Sequence, residues 1–182
     1  IRFLKHIMSL SQLNHLTRMI DFNFINKFSL PLESLSKLSY DSTNSFSVVD
    51  KSINWFNFDN ASNSKMKTFD SLYYVNNKLI FAEFKNSKPL FKEFLLKLKL
   101  KFHESISCFF LKATNVNPTF TFNDFILVDK EFYYVFSKIK SSPSDLMHYK
   151  MNNRIWSTQY ESIYNCKIFF IDNIEFERVF GL

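Results

Sequence analysis

The chain has 182 residues, 46% of them hydrophobic, and this size and composition favour one folded domain with an apolar core over a disordered chain. It contains a single glycine, Gly181, which excludes the glycine-rich phosphate loops of P-loop NTPases, dinucleotide-binding dehydrogenases and kinases. The formal net charge of +6 favours polyanionic partners, because a basic surface attracts phosphate groups electrostatically.

The cysteine content and the distribution of apolar residues bear on the compartment. Two cysteines, Cys108 and Cys166, are too few for a disulfide framework, so we expect a cytoplasmic or other reducing intracellular compartment. No apolar run approaches the roughly 20 residues of a membrane helix, so no membrane partner is expected. The chain begins with Ile1, so we expect it to be trimmed, processed or cut from a longer protein.

The N-terminal part is predicted to be mostly helical up to about residue 40, within a single domain spanning 1–182. Apolar residues at helical spacing predict a first helix over residues 2–20. A second, short helix is predicted after Pro31, where Leu32, Leu35 and Leu38 follow one another at helical spacing. Residues 41–68 are rich in Ser and Asn and are interpreted as loop with a strand or two.

The segments 69–75 and 79–85 predict two strands of a hairpin. Asn76-Asn77 joins them, and asparagine tolerates the positive φ that two-residue hairpin turns require. Because strand side chains alternate, Glu83 and Lys85 share one face, while Phe84 lies on the other and is expected to reach the core.

The C-terminal half predicts further helices and strands. Pro89 is expected to open a helix that runs to about Lys112, because its apolar residues recur at helical spacing. Residues 122–137 are interpreted as one long strand or a hairpin turning near Asp129-Lys130. A helix within 143–165 and a strand over 167–172 complete the order, which indicates a mixed α/β domain.

One motif carries a family resemblance. Asp70 is followed, after twelve intervening residues, by the triplet Glu83-Phe84-Lys85. This pattern resembles the PD-(D/E)XK nuclease superfamily, in which an Asp near the start of one strand faces an acid-x-Lys triplet on the adjacent strand. The resemblance covers about residues 65 to 112, and Phe69 stands where the motif name has Pro. It implies a restriction-endonuclease-like α+β core, with a central mixed sheet flanked by helices.

The resemblance also implies a chemistry for these residues. Asp70 and Glu83 would hold Mg²⁺ or Mn²⁺ through hard oxygen ligands, with the backbone carbonyl of Phe84 as a further ligand. Lys85 would orient the attacking water and stabilise the phosphate oxygens. Two carboxylates on one small face repel each other unless a cation joins them, so an accidental surface hairpin would need Lys85 between the acids.

Many members of this superfamily supply another carboxylate from upstream in the chain. Glu33 is the candidate for that metal ligand, with Asp50 or Asp59 as substitutes. None of the three is singled out by a motif, so the choice between them stays open at the level of the sequence.

The helix after the hairpin is rich in lysine. Lys97 and Lys101 lie four residues apart on one face and are candidates for contacts with a nucleic-acid backbone, DNA or RNA. A solvated polar face is the alternative interpretation of these lysines. The 24 Phe residues fit a core or a homodimer surface better than base stacking. The sequence therefore predicts a divalent-metal-dependent nuclease, with a non-catalytic nucleic-acid-binding or structural interaction domain as the alternative.

Overall fold

A six-stranded mixed sheet organises the chain, which the computed structural model describes over residues 20–43, 45–61, 66–86 and 92–182, with the backbone alone at 92–95. In spatial order its strands are β1 (Leu32–Ser34), β4 (Asn54–Asn57), β5 (Ser71–Val75), β6 (Lys78–Lys85), β7 (Asp129–Phe136) and β8 (Cys166–Asp172). Neighbouring strands run antiparallel from β1 to β6 and parallel from β6 to β8. Two further strands, β2 (Tyr40–Asp41) and β3 (Phe46–Ser47), form a separate ribbon.

Helices connect the strands and flank the sheet. They are α1 (Phe22–Asn26), α2 (Leu35–Leu38), α3 (Lys92–Val116), α4 (Phe122–Leu127), α5 (Pro143–Tyr164) and α6 (Asn173–Phe180), with a 3-10 helix at Asp59–Ala61. The parallel pairs require crossover connections, which α3 and α4 supply between β6 and β7, and α5 supplies between β7 and β8. The predicted mixed α+β fold with a central mixed sheet and flanking helices is confirmed.

A separate hydrophobic core packs against each face of the sheet. On one face Phe81 and Phe132 stack, with ring centroids 4.6 Å apart, and α3 packs Phe102 and Phe109 against them. On the other face the buried side chains of β4, β6, β7 and β8 meet Phe176 of α6. Since both faces are covered, most positions of β6 and β7 are buried, which explains why these strands read as nearly continuous apolar runs.

The predicted hairpin is confirmed as β5 and β6. Asn76 and Asn77 have φ angles of 49° and 60°, both in the left-handed region that asparagine tolerates. The pairing runs from Val75 opposite Lys78 to Ser71 opposite Ala82. Phe84 faces the core next to α6, as its strand position predicts, and meets the ring of Phe176 edge-on with centroids 5.7 Å apart.

The prediction for residues 122–137 is wrong in its first half, because residues 122–127 form α4 and β7 begins only at Asp129. A capping box starts this helix, in which Asp124 N donates to Thr121 Oγ1 at 3.2 Å and Thr121 N donates to Asp124 Oδ2 at 2.7 Å. Lys130 is buried and its ammonium donates to the carbonyl oxygens of Phe125 and Val128 at the other end of the helix. Both ends of this short helix are therefore fixed by side chains.

The remaining boundaries shift by small amounts. Helix α3 reaches Val116 rather than Lys112, whereas Pro89 lies outside the described residues. The helix predicted within 143–165 and the strand predicted over 167–172 are confirmed as α5 and β8. The predicted helix over 2–20 lies almost wholly outside the described residues. Of the helix predicted through Leu32, Leu35 and Leu38, only α2 forms, because Leu32–Ser34 pairs with β4 as strand β1.

Substitution of Phe84 tests the orientation of the β6 side chains. Phe84→Ala removes a ring that is 7% exposed and leaves a cavity beside Phe176, so the free energy of unfolding should fall by about 3–5 kcal/mol. Phe122→Ala, at a ring that is 46% exposed, should cost clearly less. Urea unfolding of both variants measures the difference, and equal losses would contradict the assigned orientation.

Candidate functional site

The hairpin places Asp70 and Glu83 directly across from each other. Ser71 pairs with Ala82, so Asp70, one residue before β5, lies opposite Glu83 on β6. Side chains alternate along each strand, and both carboxylates therefore lie on the face that α3 covers. Asp70 Oδ2 also accepts a hydrogen bond of 2.7 Å from the backbone N–H of Phe84, which fixes one of its oxygens.

Two lysine side chains contact this pair of carboxylates. The ammonium of Lys101, on α3, lies 2.5 Å from Glu83 Oε2 and 3.1 Å from Asp70 Oδ1, so that it bridges the two acids. Lys85 forms an ion pair with the other oxygen of Glu83, Oε1. The Glu83 side chain is fully buried, whereas 21% of the Asp70 side chain and 27% of the Lys85 side chain remain exposed. Asp70 and Lys85 are thus the accessible members of a four-residue ion cluster.

Helix α3 is held against the start of β5 by its own polar side chains. Ser105 Oγ, which is buried, accepts a hydrogen bond of 2.8 Å from the backbone N–H of Phe69. Glu104 Oε2 accepts one of 2.6 Å from the backbone N–H of Lys67. Glu104 and Ser105 follow Lys101 by three and four positions, so the three side chains lie on one side of the helix. The position of the bridging ammonium is therefore set by several contacts between the helix and the strand.

The ion cluster separates the pKa values of the two acids. Burial and the charge of Glu83 raise the pKa of Asp70 to about 7, against the opposing effect of Lys101 and Lys85. Burial also acts to raise the pKa of Glu83, but the two ammonium groups outweigh it and hold that pKa below its ordinary value. Burial acts to lower the pKa of Lys101, yet Glu83 and Asp70 outweigh it and raise that pKa. Glu83 and Lys101 are thus the charged pair at the centre of the cluster.

A polar cleft of about 340 Å³ opens beside this cluster, at the carboxyl end of β6. Its lining includes Asp70 and Lys85 together with Tyr40 and Asp41 of the β2–β3 ribbon. Asn86 Nδ2 donates a hydrogen bond of 3.2 Å to Asp41 Oδ2, which ties the ribbon to the end of β6. A ligand in this cleft would meet the exposed parts of Asp70 and Lys85.

Glu33 is not brought to this cluster. It lies on β1, and β4 and β5 separate this strand from β6. Its carboxylate forms an ion pair of 2.7 Å with Lys37 and accepts a hydrogen bond of 2.9 Å from Asn57 Nδ2. The Lys37 contact is also the main reason that the pKa of Glu33 lies below its ordinary value. Glu33 therefore has partners of its own on the edge strand.

The two substitutes for Glu33 lie in different surroundings. Asp50 accepts a hydrogen bond of 3.0 Å from Ser36 Oγ, and this contact is exposed. Asp59 starts the 3-10 helix that contacts α3, and its charge helps to raise the pKa of Lys101. Even so, the described residues include no group of three or more His, Cys, Asp or Glu side chains placed to hold a metal ion.

The two candidate nucleic-acid-binding lysines differ in their surroundings. Lys97 is exposed on α3, whereas the side chain of Lys101 is only 15% exposed and points at the two acids. Sequence reasoning missed the Lys101 bridge, the Ser105 contact and the position of Asp41 in the cleft. The spacing of Leu98, Lys101 and Ser105 placed all three on the apolar side of α3, and that signal could have shown that Lys101 is largely buried.

Comparisons with known proteins do not assign the chain to a family. Searches against protein-family models, curated proteins and solved structures found no match to the chain. Among the helices in the part of the chain that the structure describes, none is both long enough and apolar enough to cross a bilayer.

The raised pKa of Asp70 predicts a specific pH dependence. The folded protein retains the Asp70 proton up to about pH 7, whereas the unfolded chain releases it near its ordinary pKa of 3.8. Between these values the folded state binds more protons, so the contribution of Asp70 to stability falls as the pH rises. Asp70→Asn removes that contribution, and its stability relative to wild type should therefore rise from pH 4 to pH 7. Urea unfolding of both proteins across this pH range tests the prediction. A difference in unfolding free energy that does not vary with pH would contradict it.

Removing the bridging ammonium of Lys101 should lower the free energy of unfolding. Lys101→Met leaves the fully buried Glu83 with Lys85 as its remaining cation, and breaking a buried ion pair in this way costs about 3–5 kcal/mol of unfolding free energy. The matched control is Lys97→Met, one turn earlier on α3 at an exposed position, which should change stability by no more than about 0.5 kcal/mol. Similar losses in both variants would show that the bridge contributes nothing.

Proposed function

We propose that this protein is a divalent-metal-dependent nuclease that hydrolyses phosphodiester bonds in DNA or RNA through Asp70, Glu83 and Lys85. One observation carries the proposal. The carboxylates of Asp70 and Glu83 converge on a single cation position, and Lys85 lies beside them at a cleft open to a ligand. Carboxylate pairs of this kind are suited to Mg²⁺ or Mn²⁺, and the neighbouring lysine is suited to a phosphate.

The donor groups fit such a cation. Asp70 Oδ1 and Glu83 Oε2 already face one positively charged atom from two sides. Mg²⁺ in particular binds through one or two carboxylates and completes its octahedral shell with water and substrate phosphate, so two acids suffice. The backbone carbonyl of Phe84, which follows Glu83, is the further ligand that the resemblance implies. A metal ion at this position would contact Asp70, which also lines the cleft.

Each residue then has a separate task in the proposed reaction. When bound, the cation supplies charge neutralisation at the phosphate and acidifies the attacking water. Lys85 orients that water and donates to phosphate oxygens, since its side chain is partly exposed on the cleft. Glu83 holds Lys85 in place through Oε1 while its other oxygen faces the cation position. Asp70 contacts the cation position through Oδ1 and also lines the cleft.

The order of the strands and helices around the site supports the proposal. Asp70 directly precedes β5, the triplet ends the adjacent strand β6, and α3 follows beside the site, which is the arrangement that the PD-(D/E)XK resemblance implies. The six-stranded mixed sheet with helices on both faces is compatible with a restriction-endonuclease-like core. A shared architecture is a fold-level analogy, so the side chains of the site carry the functional argument.

The Lys101 bridge favours a second candidate function. An ammonium group that neutralises both acids is also what a structural ion cluster requires, since buried carboxylates need a cation of some kind. In that case the domain would be non-catalytic and would bind nucleic acid or a protein partner. The assay described next separates the two functions.

Substitution of Lys85 separates catalysis from structure. We expect wild-type protein to cleave DNA or RNA with Mg²⁺ or Mn²⁺ and not with EDTA, and Lys85→Ala to lose about 10²-fold or more of that activity. The matched control is Lys78→Ala, at the other end of β6, whose ammonium pairs with Glu131 away from the cleft. Its activity should stay near that of wild type.

Two outcomes would contradict the proposed nuclease function. The first is wild-type protein that cleaves neither DNA nor RNA in either metal, which leaves the non-catalytic candidate. The second is Lys85→Ala with unchanged turnover. Circular dichroism of each variant should first confirm that the fold is intact.

A further inference from the structure

Lys101 occupies the cation position that the proposed function assigns to a metal ion. Its Nζ atom lies 2.5 Å from Glu83 Oε2 and 3.1 Å from Asp70 Oδ1. Mg²⁺ binds oxygen at about 2.0–2.1 Å, so an ion ligated by these same two oxygens would fall within contact distance of Nζ. The ammonium and the metal ion therefore exclude each other from this position.

The charges of the cluster also indicate that a metal ion and the Lys101 ammonium exclude each other. The cluster already holds two ammonium groups in contact with its two acids. A divalent cation added to this set would face both lysines at close range, where like charges repel strongly in a partly buried site. Lys85 contacts Oε1 of Glu83, whereas Lys101 contacts both oxygens that would bind the ion, so Lys101 is the group that has to leave.

The displaced ammonium has a destination within reach. Lysine carries its charge on a flexible four-carbon stem with rotatable donors, so it can turn while its helix stays in place. Asp70 contacts Lys101 and also lines the cleft, so a phosphate group held in the cleft would lie close to the displaced side chain. Ser105 and Glu104 hold α3 against residues 67–69 independently of Lys101, so the helix need not move.

We propose that Lys101 is an exchangeable counter-ion, which neutralises Asp70 and Glu83 in the metal-free protein and moves to a phosphate of the nucleic acid when a divalent cation takes its place. The proposal rests on the metal site of the proposed function and adds its regulation. Metal ion and nucleic acid then bind cooperatively, since each stabilises the side-chain position that the other needs. By linkage, the factor by which one raises the affinity of the other is the same in both directions.

Chemical labelling of lysines in the unaltered protein tests the exchange directly. An amine-specific acylating reagent, read out by mass spectrometry, should modify Lys101 slowly in metal-free protein, because the side chain is 15% exposed and ion-paired to two acids. Saturating Mn²⁺ alone should raise its rate severalfold. Lys150, exposed on α5 and outside the cluster, is the internal reference, and its rate should not change.

Mn²⁺ affinity of substituted proteins gives a second, independent measurement. Without nucleic acid, Lys101→Met should bind Mn²⁺ about tenfold more tightly than wild type, because no ammonium has to be displaced. Lys150→Met should match wild type. Lys101→Gln keeps a hydrogen-bond donor without the charge and serves if the Met variant does not fold. A phosphorothioate oligonucleotide, which resists hydrolysis, should raise the Mn²⁺ affinity of wild type by a larger factor than that of either Lys101 variant.

The outcomes distinguish this proposal from the function on which it rests. Equal Mn²⁺ affinity in wild type and in the Lys101 variants, or Mn²⁺ binding with no change in Lys101 labelling, overturns the exchange and leaves the metal site intact. Failure of wild type and of both Lys101 variants to bind Mn²⁺ overturns the metal site and the exchange together. Tighter binding in the Lys101 variants, with Mn²⁺-dependent labelling in wild type, supports both.

Discussion

The fully buried carboxylate of Glu83 is the constraint around which the site is built. A charged group removed from water loses solvation energy that only close partners of opposite charge can offset, and two lysines lie against its two oxygens. The hairpin brings Asp70 opposite it, and α3 brings Lys101 above it. The contacts that hold α3 to the start of β5 therefore also keep this charge balanced.

Much of the hairpin could be predicted because its signals are local. Two adjacent asparagines specify the turn, and strand alternation then fixes which side of the sheet Phe84 and Glu83 face. Helix α5 also has a local signal, since it begins at Pro143, in the first turn, where proline is tolerated. The strand prediction for 122–127 is wrong because short apolar segments fit a strand and a helix equally well. The capping pair Thr121 and Asp124 is the local feature that indicates a helix.

The candidate site could be predicted only in part, because its members come from distant parts of the chain. Asp70, Glu83 and Lys85 belong to one hairpin, so their proximity follows from its register. Lys101 lies 31 residues from Asp70 in the sequence, and its contact depends on how α3 docks, which no local pattern specifies. The same limit applies to the upstream carboxylate. Glu33 was a reasonable residue type, but β1 lies at the edge of the sheet with β4 and β5 between it and β6.

The order in which these contacts form has a consequence for folding. The β5–β6 hairpin closes through a two-residue turn, whereas α3 must first form and then pack across the sheet, so we expect the two acids to meet before Lys101 reaches them. At that stage water and dissolved ions screen their repulsion. Docking of α3 then removes the water and supplies the ammonium in the same step. We therefore expect the rate of that step, more than the rate of hairpin closure, to depend on ionic strength.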